Sequence, residues 1–100
     1  MALIYHITTR SNWEDAQLKG EYKAPSLEGE GFIHCSEAGQ VAGVLSRYYA
    51  GMNDLVKLII DTEELSSPLT YELAPSVNEN FPHVYGVINL EAVVAVEEIK

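Results

Sequence analysis

Residues 55–60, Leu-Val-Lys-Leu-Ile-Ile, constrain this chain more than any other stretch. Nearly every side chain is apolar, half are β-branched, and polar residues bound the run on both sides. It reads as the strongest strand of the protein. Partners are available. Residues 3–8, Leu-Ile-Tyr-His-Ile-Thr, alternate, with Leu3, Tyr5 and Ile7 on one face and Ile4, His6 and Thr8 on the other. Residues 69–73 form a strand with Thr70 and Glu72 opposite Leu69, Tyr71 and Leu73. Residues 74–80 read as a polar loop, 81–88 as a strand that begins through Pro82, and Val93–Ile99 as a last strand after a turn at Asn89–Glu91.

The helices fall mostly in the first half. Ser11 and Glu14 have capping-box spacing, which predicts a helix from Asn12 to Lys19, stopped by Gly20. Residues 20–31 hold three glycines and a proline and read as a loop long enough to cover a site. Phe32–Cys35 is a short strand, and Ser36 is placed to cap a helix over 37–50. There Val41, Val44, Leu45, Tyr48 and Tyr49 make one apolar stripe, so both tyrosines are expected in the core. Gly39 and Gly43 predict close packing of that helix on a sheet. Asp61 and Glu64 predict one further helical turn. Helices first and strands later make an α+β chain, one small domain over residues 1–100.

The hydrophobic fraction, 47% of 100 residues, suits one core and leaves no room for a second. No apolar run approaches the roughly 20 residues a membrane helix needs, and the first residues lack signal-peptide character, so a soluble cytoplasmic protein is expected. Net charge is −9, from 15 acids against 6 scattered bases, which argues against a nucleic-acid surface and leaves a small-molecule ligand as the expected partner. An exposed strand allows a weak homodimer beside the monomer. The acidic end, Glu97 to Lys100, reads as a solvated strand terminus. One cysteine, Cys35, excludes an internal disulfide.

All three histidines lie in or beside a predicted strand. His34 shares a face with Phe32 and Ser36, whereas Cys35 points to the core, so a His–Cys metal pair is not expected and no metal is assigned. A helix starting at Ser36 would set its N–H groups beside His34, where a phosphate could bind, although Glu37 competes for them. His6 with Thr8 fits a core pair or a sugar-hydroxyl contact. His83, after Pro82 and before Tyr85-Gly86, fits either packing or a ligand-facing ring on a fixed backbone. Glu72 defaults to solvent; facing a pocket, it would serve charge stabilisation or base catalysis.

The strings Ile-Tyr-His-Ile-Thr at 4–8, Gly-Phe-Ile-His-Cys-Ser at 31–36 with Gln40 shortly after, Tyr71-Glu72, and Phe-Pro-His-Val-Tyr-Gly at 81–86 occur in order over nearly the whole chain. Together they resemble the bacterial family catalogued as domain of unknown function 952. That family in turn is distantly similar to the ADP-ribosyltransferase fold, a split two-sheet α+β domain with a mixed or antiparallel sheet and two main helices here. The resemblance implies NAD or an ADP-ribosyl compound in the cleft. His6, His34 and Glu72 would be catalytic, and Thr8, Ser36, Gln40, His83 and Tyr85 would contact the cofactor. Three functions compete: an ADP-ribosyltransferase-like enzyme or former enzyme, a non-catalytic binding module, and a small hydrolase using a His–Glu acid–base pair.

Overall fold

A computed structural model describes residues 2–99. Strand β1, Leu3–Thr9, pairs antiparallel with β4, Leu55–Asp61, in a register that sets His6 opposite Leu58 and Thr8 opposite Val56. β8, Val93–Glu98, pairs with the other edge of β4. The strongest predicted strand is therefore the centre of its sheet. Val56, Leu58 and Ile60 on one face of β4 are almost fully buried, because Ile4, His6 and Thr8 of β1 lie on that same face.

A second three-stranded antiparallel sheet has β6, Glu79–Val84, at its centre, between β3, Ile33–His34, and β5, Leu69–Ala74. A two-stranded ribbon, β2 (Glu21–Tyr22) with β7 (Ile88–Asn89), completes the strands. All strand pairings among the described residues are antiparallel. The two larger sheets meet at residues 34–36. The Cys35 amide donates to the Pro82 carbonyl of the second sheet, whereas Ser36 and Tyr5 exchange backbone hydrogen bonds in the first. The chain thus changes sheets just after His34. The core between them holds Ile4, Ile33, Cys35, Leu58, Val84 and Ile88.

The α+β expectation holds, and several element boundaries differ. Helix α1 covers Arg10–Lys19, and its cap is Thr9, whose hydroxyl accepts from the Asn12 amide, not Ser11. Residues 20–31 are not a plain loop: they contain β2 and α2, Pro25–Glu30. Proline at a helix start and glycine just past its end are favourable, so Pro25 and Gly31, at φ 87°, delimit this helix. Residues 81–88 form two strands, because the chain turns at Gly86, where φ is 154°. The 74–80 segment gives its last two residues to β6.

The helix expected over 37–50 is shorter. Glu37 caps a 3₁₀ turn over Ala38–Gln40, and α3 runs Val41–Tyr48. Its stripe is not core: no residue of α3 is buried, and Tyr48 is 63% exposed. Gly39 has no neighbour within 4 Å of a Cβ position, and Gly43 approaches only the Arg47 side chain, so neither packs on a sheet. The acidic end is paired as well as solvated: Glu98 binds Arg10 and Glu97 binds Lys57; Lys100 lies outside the described residues. No helix among the described residues is long and apolar enough to cross a membrane.

Candidate functional site

The antiparallel register of β3, β6 and β5 places His34 opposite His83 and His83 opposite Thr70, with Phe81 opposite Glu72. Opposed residues share a face. One face of this sheet therefore gathers three of the site residues expected from sequence, His34, His83 and Glu72. The His34 and His83 rings meet edge to face, centroids 5.2 Å apart. Phe32 stacks on His83 at 4.1 Å, with its ring nearly parallel.

Each imidazole has its own glutamate. His83 Nδ1 lies 2.6 Å from a Glu72 carboxylate oxygen, which also accepts from the Tyr85 hydroxyl. A carboxylate only accepts, so His83 carries its proton on Nδ1 and leaves Nε2 free of any hydrogen bond among the described residues. His34 Nε2 lies 2.8 Å from Glu30, which leaves its Nδ1 for another partner. The Tyr85 hydroxyl, then the His83 ring, hold Glu72 below the usual carboxylate range, and the same contact raises Tyr85.

Both rings line a cleft of about 530 Å³. Its walls include Ile7, Val44, Leu73, Phe81, Tyr48 and Tyr49, so the stripe of α3 covers the cleft and not the core. A side hollow of about 280 Å³ adjoins it past His34, bordered by His6, Thr8, Tyr22 and Ser26. Among the described residues, no lysine or arginine lines either space. No group of three His, Cys, Asp or Glu among the described residues is placed to hold a metal ion.

The remaining expected residues are bonded within the chain, although Ser36 lines the cleft and His6 and Thr8 border the side hollow. His6 is buried; its Nδ1 lies 2.6 Å from the His34 carbonyl and its Nε2 2.7 Å from the Tyr22 hydroxyl, which is 2.9 Å from the Thr8 hydroxyl. Burial drives the His6 pKa down to about 4. Ser36 is buried through its bridge to Tyr5. Gln40 accepts from the Glu37 amide and donates to the Asn80 carbonyl. The phosphate niche expected beside His34 is thus closed: Ser36 starts no helix, and Glu37 and Gln40 satisfy each other's amides in a capping box. Sequence reasoning missed Tyr22 and Glu30, both hidden in the supposed loop. It also read Tyr48 and Tyr49 as core, since a stripe facing a cleft and one facing a core have the same period.

Protein CC0527 from Caulobacter crescentus has a similar structure. Its crystal structure is 27% identical and superposes with a TM-score of 0.89, covering 99% of this chain and 87% of that one. Its solution NMR structure is 28% identical, with a TM-score of 0.84 over 100% of this chain and 86% of that one. No curated protein matches the chain. The model of the family described as "Protein of unknown function (DUF952)" matches residues 7–96. By that match, which takes in every site residue but His6, the chain belongs to the DUF952 family.

Proposed function

We propose that the cleft is an acid–base active site, and that the protein is a small hydrolase acting on an uncharged, ring-bearing molecule. One observation carries this reading: two imidazoles, each hydrogen-bonded to a glutamate, stand 5.2 Å apart in the wall of one largely apolar cleft. A carboxylate behind a histidine fixes its tautomer and stabilises the imidazolium formed when it takes a proton. His83 Nε2 would draw a proton from an attacking water, and His34 would return one to the leaving group. Water is the nucleophile this site can activate, because burial pushes the Cys35 thiol well up and keeps it protonated. The apolar walls would hold the ring and exclude bulk solvent.

A second reading retains the ADP-ribosyl ligand. The side hollow lengthens the cleft past His34 and gives it two lobes, a shape suited to two joined ring systems. The charge does not fit NAD. A pyrophosphate there would find the Glu30 carboxylate and, among the described residues, no Lys or Arg, and the nearby capping box is already occupied by the Glu37 carboxylate.

The test is a hydrolysis screen with small esters, amides and glycosides, run beside an NMR titration with NAD and ADP-ribose. Turnover that falls roughly 10²–10⁴-fold in His83→Ala and in His34→Ala, with the fold intact, is the expected result. Saturable NAD shifts without hydrolysis would favour the second reading. Turnover indifferent to both histidines would sink the first.

A further inference from the structure

His6 sits where the two larger sheets meet, and its two ring nitrogens face different sides of that junction. On one side Nδ1 contacts the backbone carbonyl of His34 at 2.6 Å. A carbonyl only accepts, so Nδ1 is the protonated nitrogen. On the other side Nε2 faces the Tyr22 hydroxyl at 2.7 Å. In the neutral ring Nε2 is unprotonated, and the Tyr22 hydroxyl that faces it also lies 2.9 Å from the Thr8 hydroxyl. The ring, both hydroxyls and the carbonyl form one connected set of hydrogen bonds, and His6, Thr8 and Tyr22 are all buried.

Apart from the Glu30 contact on its ring and the pairing with His83, His34 rests on a short strand. β3 is two residues long, and the His34 side chain is about half exposed. The next residues leave the sheet for β1. We infer that His6 is a positioning residue: its Nδ1–H fixes the His34 carbonyl and so holds the His34 ring against His83, while Tyr22 and Thr8 hold the other side of the His6 ring. The consequence for catalysis rests on the acid–base reading above. The geometry does not, so the test needs no substrate.

Two amide variants separate this role from mere core filling. His6→Asn places its amide near Nδ1 and keeps a donor to the His34 carbonyl. His6→Gln places it near Nε2 and keeps the Tyr22 contact instead. Both bury an amide of similar polarity. NMR contacts between the His34 and His83 rings are expected to persist in His6→Asn and to be lost in His6→Gln. Equal retention, or equal loss, in the two folded variants overturns the inference. If neither folds, the wild type decides through its ¹⁵N ring shifts: a His6 proton on Nδ1 supports the inference, and one on Nε2 refutes it. A site that keeps this geometry yet shows no hydrolysis would count against the proposed function alone.

Discussion

Acid should destabilise this protein through the buried His6 ring, beginning above the pH at which the carboxylates titrate. The ring is buried and neutral, with a pKa near 4 in the fold against 6.5 in the unfolded chain, and desolvation is the main cause. The unfolded state therefore binds the proton first. Stability is full above the unfolded value and falls as pH drops from there toward the folded one. The difference between the two values corresponds to about 3 kcal/mol, most of which is gone by about pH 4.5. That is a large part of the 5–15 kcal/mol typical of a domain. The assay is urea unfolding at about pH 7.5 and about pH 4.5 for the wild type and His6→Asn, which cannot take up the proton. The wild type should lose roughly 2–3 kcal/mol more than the variant over that interval. His34, His83 and the acids are common to both proteins and cancel in the difference. Equal losses would refute the reasoning and mean that the His6 ring accepts its proton inside the fold.

Gly86 should not tolerate a side chain: a Cβ there would stand 2.5 Å from Ser67 Oγ, at a φ that L-residues rarely adopt, so Gly86→Ala should cost about 1–3 kcal/mol in denaturant unfolding. Cys35 is 2% exposed, so a thiol reagent should modify it only at the rate at which the protein opens, and Leu58→Ala, which loosens the fold around it, should speed the reaction. Glu72→Gln removes the carboxylate that raises Tyr85; the Tyr85 pKa should fall back toward its ordinary value, read from tyrosinate absorbance, whereas an unchanged titration would mean that the Glu72 contact is absent in solution.

Much of the framework is local and could be read directly. The 55–60 run, the alternation at 3–8, and the Asp61 cap, whose side chain accepts from the Glu63 amide, all appear where the pattern puts them. The misplacements have physical causes. Pro25 and Gly31 read as loop formers in the sequence because the α2 they delimit is only six residues long and buries none of them, which leaves no periodic signal. At the 81–88 stretch, β-propensity is continuous, and the break comes from the approach of Ser67 to Gly86, a contact 19 positions away in the chain.

The site divides the same way. Sequence alone determined the α+β class, the residue types available for chemistry, and the alternation that turns His34 away from the core and Cys35 into it. Alternation fixes which way a side chain points relative to its neighbours, and that is local. Which glutamate serves which histidine was decided only by tertiary structure. Glu72 reaches His83 because of strand register, which depends on how whole strands seat their apolar faces. His6 was assigned a ligand-facing role by resemblance, yet the junction of two sheets surrounds it with Tyr22, Thr8 and the His34 carbonyl. Burial and hydrogen-bond satisfaction are properties of the assembled core, and no stretch of sequence carries them on its own.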